Sequence, residues 1–253
     1  MNESKKDYHV LVVEDDPIIA RVLETILRDS GFLVDESVNT GEKAISRVAE
    51  KKPGIVLMDL DLLGKLTGIE TARILFHLFS VPVIFVTGHD EEQVLYNAKD
   101  ADPFGFLVKP VNNNILNSTI QVSVNLHEKI CSTSEGKTGG LSTSQREEMV
   151  RSLRPVVLLD DKNRIIWMNN GAEFLVERSL TDLLLADATS SLILHDPDSG
   201  DVVDIFSLDP IDERPLLIQG THHNKSVIPR IFMISDPFGD IGGYYLELHP
   251  TGE

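Results

Sequence analysis

The run Ile55-Val56-Leu57-Met58-Asp59-Leu60-Asp61 decides how the first half of the chain is read. Four consecutive apolar residues are too few for a buried helix and suit a buried strand. Such a strand delivers Asp59 to its carboxyl end, where ligand sites of open parallel sheets form. The following Leu63-Gly64-Lys65-Leu66-Thr67-Gly68 reads as a loop, so nothing apolar covers the carboxylate at once. Asp59 is therefore an accessible carboxylate at a ligand edge, a group that can act as a nucleophile in covalent chemistry.

The flanking segments read as alternating strands and helices. Tyr8 to Val13 is a short apolar strand ending in Glu14-Asp15-Asp16 and Pro17. Asp16 before Pro17 suits an N-cap carboxylate with proline at the first helical position. In the helix that follows, Ile18, Val22 and Ile26 recur every four residues, as do Ile19, Leu23 and Leu27, which predicts one apolar face. Gly31 suits its end. Phe32 to Val38 reads as a second strand, and Asn39-Thr40-Gly41-Glu42 has capping-box spacing for a second helix. After the Ile55 strand come a helix with Ile69, Ala72, Ile74, Leu75 and Leu78, a strand over Val81 to Val86 ending in Thr87-Gly88, a weaker helix over about 91–99, a strand over Phe104 to Val108 ending in Lys109-Pro110, and a helix from about Asn112 to Lys129. The alternation predicts an α/β domain: a doubly wound, five-stranded parallel sheet with helices on both faces.

In such a sheet the strand ends share one edge. That edge collects Glu14, Asp15, Asp59, Thr87 and Lys109. Three carboxylates suit a hard divalent cation, and Mg²⁺ takes few protein oxygens and keeps waters that a phosphate can replace. The metal and Lys109 would offset charge on transferring phosphoryl oxygens, and the Thr87 hydroxyl could bond one of them. Taken singly, each residue has a plainer explanation: an Asp after a strand is more often a turn residue or cap, and a Thr or Lys there is blander still. The ordered set is what points to chemistry.

Residues 8–128 resemble the receiver domain of two-component response regulators. The resemblance rests on Val12-Val13-Glu14-Asp15-Asp16-Pro17, Met58-Asp59, Phe85-Val86-Thr87-Gly88 and Gly105-Phe106-Leu107-Val108-Lys109-Pro110. It implies that Asp59 is the phosphoacceptor, loaded from a phosphohistidine on a sensor histidine kinase or phosphotransfer protein. It implies Glu14 and Asp15 as an acid pair that, with Asp59 and the backbone carbonyl of Asp61, binds Mg²⁺ or Mn²⁺. Thr87 and Phe106 take the two switch positions, and Lys109 contacts the phosphate, before a cis peptide to Pro110. No catalytic residue beyond these is expected: the protein is a phosphoacceptor rather than an enzyme, apart from self-dephosphorylation tuned by Asp61. Three features depart from the family. The loop after Asp59 carries Leu63 and Thr67-Gly68 where a proline and an Asp-Gly pair are usual, and it is one residue longer. Glu14 replaces the commoner Asp. Phe106 lacks a hydroxyl. Asp59-Leu60-Asp61 also resembles the first motif of haloacid-dehalogenase-type phosphatases, with Asp59 as nucleophile. That reading needs a further acidic motif beyond the lysine, and only the distant Asp160-Asp161 offers one.

The chain of 253 residues suits two domains. Its net charge of −17 is shared: residues 1–130 carry 13 Lys+Arg against 20 Asp+Glu, and residues 131–253 carry 10 against 20. Neither half is basic, so a nucleic-acid-binding output is not expected. A single cysteine, Cys131, excludes an internal disulfide framework. No apolar run approaches the roughly 20 residues that span a bilayer, and the polar start lacks a secretion signal, so a cytoplasmic protein without membrane contact is expected.

The expected domains are a receiver over 8–129, a flexible linker over 130–141, rich in small and polar residues, and a second domain over 142–250. The second domain opens with a capped helix over about 142–153 and a hairpin made of Pro155–Leu159, Asp160–Asn163 and Arg164–Met168. A short helix starts at Asn169. Strand-like runs follow at Ser191–His195, Val202–Phe206, Leu216–Gln219, Val227–Ser235 and Ile241–Leu248, an α+β antiparallel pattern. The opening through Phe174-Leu175 resembles a PAS domain, a family that binds small ligands or dimerises. A dimerising or partner-docking module is preferred over a ligand sensor whose ligand is unknown. His195, His222 and His223 are the residues that could be nominated for haem.

Overall fold

The computed structural model describes residues 8–88, 103–133, 140–141, 145–146, 149, 154–209 and 213–251. The chain divides into two compact units, Met1–Gly140 with Asp236–Phe238, and Leu141–Ser235 with Gly239–Glu253.

In the first unit, strands β1 (His9–Val13), β2 (Leu33–Val34), β3 (Ile55–Asp59), β4 (Val83–Thr87) and β5 (Gly105–Val108) form one sheet in the order β2-β1-β3-β4-β5. Every pairing is parallel. Strands β3 and β4 are buried along their whole length, as continuous apolar runs require when both faces are covered. Val10, Val12, Ile55, Leu57, Ile84 and Val86 point to one face, where they meet Leu23 and Leu27 of α1 (Pro17–Asp29) and Leu116, Ile120 and Val124 of α4 (Asn113–Thr133). The alternate residues Leu11, Val56, Met58 and Phe85 are equally buried; they face the side of α2 (Gly41–Glu50) and α3 (Gly68–Phe79). The expected helix over 91–99 lies outside the described residues.

Local chemistry sets the element ends. Asp16 caps α1 as expected, accepting from the amides of Ile18 at 2.7 Å and Ile19 at 3.3 Å. The apolar face of α1 is narrower than its spacing predicts: Ile18 and Val22 are 74% and 52% exposed. With Pro17, Arg21, Thr25 and Ile26 they form a shallow, mostly apolar surface on one side of α1. The second strand is only two residues long, with an isolated bridge between Val13 and Val38. The capping box expected at Asn39–Glu42 does not form. Thr40 caps α2, bonding the amide of Lys43, while Asn39 binds the Lys43 ammonium. The capping box of this unit is Thr67 with Glu70, at the start of α3. Helix α4 runs through Thr133, so Cys131 sits in a helix and not in the linker; residues 134–139 lie outside the described residues.

The second unit is built on a seven-stranded sheet in the order β7-β6-β12-β11-β10-β8-β9. Its strands are β6 (Val156–Asp160), β7 (Ile165–Met168), β8 (Leu194–His195), β9 (Val202–Val203), β10 (Leu216–Ile218), β11 (Lys225–Ser235) and β12 (Ile241–Pro250), and all pair antiparallel. One face packs against short helices over Asn170–Val176, Leu180–Leu183 and Ala188–Ser191. That core gathers Val157, Leu159, Leu175, Leu183, Ile231 and Leu246. Two expected strands are shorter than predicted. Ser191 ends a helix over Ala188–Ser191, so the Ser191–His195 run is a strand only at Leu194–His195. The Val202–Phe206 run is a strand only at Val202–Val203, before a 3-10 turn over Ile205–Ser207. Both the helix and the turn are led by an Asp whose side chain bonds a downstream amide. An aspartate there offers the backbone a turn in place of a ladder. The helix expected over 142–153 is described only at Gln145, Arg146 and Met149, which are helical.

Candidate functional site

Four peptide segments bring their strand ends to one edge of the parallel sheet. β1 is followed by Glu14 and Asp15, β3 ends in Asp59, β4 ends in Thr87, and β5 is followed by Lys109. The Lys109 ammonium lies 2.7 Å from Glu14 Oε2 and 2.8 Å from Asp59 Oδ2. Carboxylate oxygens of Glu14, Asp15 and Asp59 fall within 4.8 Å of one another. Glu14, Asp59 and Thr87 are buried, and Asp15 is half-buried. The Lys109–Pro110 peptide is cis.

The electrostatics follow from this crowding. Burial pushes the Glu14 carboxyl up, and the Asp59 charge adds to the push; the Lys109 hydrogen bond offsets only part of it. Burial alone would lower Lys109, but its bonds to Asp59 and Glu14 hold the ammonium above its ordinary value. Three oxygen ligands around one point form a hard donor set that matches a divalent cation of the Mg²⁺ type. Among the described residues, this is the one group of three or more His, Cys, Asp or Glu side chains arranged to hold a metal ion.

Backbone details complete the corner. The Asp61 amide approaches Asp59 Oδ1 at 3.5 Å. A Cβ at Gly68 would lie 2.1 Å from the Asp59 carbonyl oxygen, so only glycine lets α3 start that close to the strand end. The Lys109 amide donates to the Thr87 carbonyl at 2.8 Å, tying β5 to β4. Phe106 pairs with Phe85 across the ladder, ring centroids 5.7 Å apart, and is half-buried.

Sequence reasoning missed Glu42. Its Oε1 accepts from the amides of Lys65 at 2.6 Å and Leu66 at 3.1 Å, in the loop that follows Asp59. The capping-box spacing hid this, because it supplied a local partner for the same carboxylate. The residues considered in the second unit do not converge. Asp160 accepts from the amides of Lys162 and Arg164 and pairs with the Arg164 guanidinium at 2.8 Å. It is consumed by its own hairpin turn and supplies no distant acidic motif. His222 and His223 are exposed, and His195 meets the carbonyl of Gly200.

Comparison with known proteins decides the family. The family described as the response regulator receiver domain matches residues 10–121. The first half of this chain is a response regulator receiver domain. Among curated relatives, the receiver domain is similar to the transcriptional regulatory protein PdtaR of Mycobacterium tuberculosis, 27% identical over 133 residues, covering 53% of this chain and 64% of PdtaR. It is also similar to the KDP operon transcriptional regulatory protein KdpE of Escherichia coli, 34% identical over 119 residues, covering 47% of this chain and 52% of KdpE. The chain thus spans less than two thirds of the length of either relative. A crystal structure of the signal receiver domain of a modulated diguanylate cyclase from Desulfovibrio desulfuricans G20 is 33% identical, with 48% of this chain and 97% of that one covered and a TM-score of 0.46. The match to the receiver family replaces the phosphatase reading. No helix among the described residues is long and apolar enough to cross a membrane.

Proposed function

We propose that this protein is the response regulator of a phosphorelay, taking a phosphoryl group on Asp59 from a histidine kinase or phosphotransfer protein. The supporting observation is the bridge of Lys109 to both Glu14 and Asp59, with Asp15 beside them. In the transfer, an Asp59 carboxylate oxygen attacks phosphorus while the bond to the donor imidazole nitrogen breaks, leaving an acyl phosphate on Asp59 and a histidine on the partner. Glu14, Asp15, Asp59 and the Asp61 carbonyl would hold Mg²⁺, whose charge offsets that on the phosphoryl oxygens. Lys109 is already bonded to the acceptor carboxylate and meets the arriving group as a second positive charge. The Thr87 hydroxyl turns to a phosphoryl oxygen, and Phe106 moves inward into the space it leaves. The exposed apolar side chains of Ile18 and Val22 on α1, which begins directly after Asp16, are the surface on which the phosphodonor would dock.

The receiver runs from residue 8 to the end of α4 at Thr133, a linker follows it, and the second domain, from about 142 to residue 250, is PAS-like. The hairpin leading into an Asn169-capped helix supports that reading. Its role is dimerisation or partner docking, in keeping with the exposed Phe174, Val202 and Met233. Its net negative charge disfavours nucleic acid as its target. A cytoplasmic location fits the kinase partner.

The test is mass spectrometry after treatment with acetyl phosphate and Mg²⁺. The expected result is a single acid-labile, hydroxylamine-sensitive phosphoryl group that Asp59→Asn abolishes. Persistent labelling of that variant would sink the assignment. Chromatography of the labelled protein reads any change in assembly.

A further inference from the structure

The segment Leu60–Thr67 joins β3 to α3 and carries Asp61, yet it has no regular structure of its own. Its two ends are held locally: the Gly68 amide donates to the Leu60 carbonyl at 3.2 Å, and Thr67 and Glu70 form the capping box of α3. Its middle is held from outside. The Glu42 carboxylate, in the first turn of α2, takes the amides of Lys65 and Leu66 on one oxygen. Leu63 makes a parallel bridge to Thr40, two residues before Glu42. The backbone crosses the carboxylate at Gly64, where φ is +126° and a Cβ would sit 2.7 Å from Glu42 Oε2 and 2.9 Å from Oε1. Only glycine permits both that conformation and that approach. Leu66 is buried, and Gly41 lets the start of α2 close on it, with a Cβ there 3.0 Å from the Leu66 Cβ.

The loop contains no proline, and a carboxylate on another helix holds its backbone. Burial raises the Glu42 carboxyl, but hydrogen bonds from its own amide, from Thr40 and from Lys65 and Leu66 outweigh burial and hold it below the ordinary value. It is ionised at neutral pH, which suits both the helix N-terminus and the two amide donors.

We propose that Glu42 is a positioning residue for the phosphoacceptor corner: by clamping the Lys65–Leu66 backbone it presets the Asp61 carbonyl and the Asp59 carboxylate for the metal. The inference rests on the proposed function of Asp59. The full chain is compared with Glu42→Ala and Glu42→Gln by calorimetric Mg²⁺ titration, by acetyl phosphate labelling and by heat unfolding. Loss of an outer partner that orients metal ligands typically weakens binding by about tenfold. Glu42→Ala is expected to weaken Mg²⁺ binding by about that factor and to regain most of its labelling rate at saturating Mg²⁺. Glu42→Gln, whose amide oxygen can still accept both N–H groups, stays within about twofold of the parent. Unchanged Mg²⁺ affinity in Glu42→Ala, even with a lowered unfolding midpoint, would reduce Glu42 to a stabilising contact. Glu42→Gln behaving like Glu42→Ala would show that charge and not geometry matters, and would also overturn the proposal. A parent protein that binds Mg²⁺ but takes no phosphoryl group would refute the proposed function and leave the comparison of Mg²⁺ affinities to decide this inference.

Discussion

Asn169 ties several backbone segments together through one buried side chain. Its Oδ1 accepts from the amides of Ala172 at 2.9 Å and Val156 at 3.0 Å, and its Nδ2 donates to the Arg154 carbonyl at 2.7 Å. Asn169→Ala removes the helix cap and leaves buried backbone groups without partners, at a cost of about 2–3 kcal/mol. Urea unfolding followed by Trp167, the single tryptophan, on the neighbouring strand β7, should show the loss. Glu24 plays a comparable part in the receiver. It is buried in α1, bonded to Arg28 at 3.0 Å and to the Ser37 amide at 3.2 Å. Burial raises its carboxyl, but the bonds from Ser37 and Arg28 outweigh burial and hold it below the ordinary 4.5. A depressed folded-state value means that the stabilisation is present above 4.5 and is lost as pH falls through the folded value. Glu24→Gln should therefore cost about 1–2 kcal/mol at neutral pH, and the gap from the parent should close as the solution is acidified. A gap that is constant with pH would contradict the ionised pairing.

Two glycines bounding helices separate conformational freedom from close approach. Gly31, after α1, has φ +86° and open space where a Cβ would stand. Gly31→Ala should cost about 1 kcal/mol, the strain of a left-handed alanine, and leave labelling of Asp59 intact. Gly68, the first residue of α3, meets backbone on its Cβ side, at the carbonyl of Asp59 itself. Gly68→Ala must push α3 away from the strand end, so labelling should fall far more than stability loss alone explains; equal labelling of the two variants would contradict the packing described. The helix-end role of Gly31 was legible from its place after an apolar periodicity. The demand on Gly68 was not, because it comes from a strand several residues earlier that packs against it only once the sheet exists. The same holds for Glu42, which has a plausible local partner in sequence and a different one in space. The α1 face shows the converse: spacing by four marks Ile18 and Val22 as core candidates, yet whether a neighbour covers them depends on how the helix is rolled against the sheet.

At the scale of the whole chain, the receiver and the second unit each bring together a core of their own. The receiver carries both the acid cluster and Lys109, so a fragment ending at Thr133 should take phosphate from acetyl phosphate at a rate close to that of the full chain; loss of labelling would mean that the second unit contributes to the chemistry. A ligand that binds only the folded state stabilises it by mass action, about 2.7 kcal/mol at roughly a hundredfold excess over Kd. Mg²⁺ should accordingly raise the unfolding midpoint of the receiver, and Asp15→Asn should remove most of that rise; a midpoint indifferent to Mg²⁺ would argue against the cluster as a metal site. What the sequence determined unaided was the alternation of strands and helices, hence the parallel sheet, and the residue types delivered to its carboxyl edge. Both are carried by local periodicity and by chain direction, which every residue expresses in its own neighbourhood. The tertiary structure alone decided which side chains hold the loop after Asp59, how closely α3 approaches it and which apolar residues of α1 stay open. Those are contacts between segments distant in the chain, and no spacing along the sequence encodes a distance across the fold.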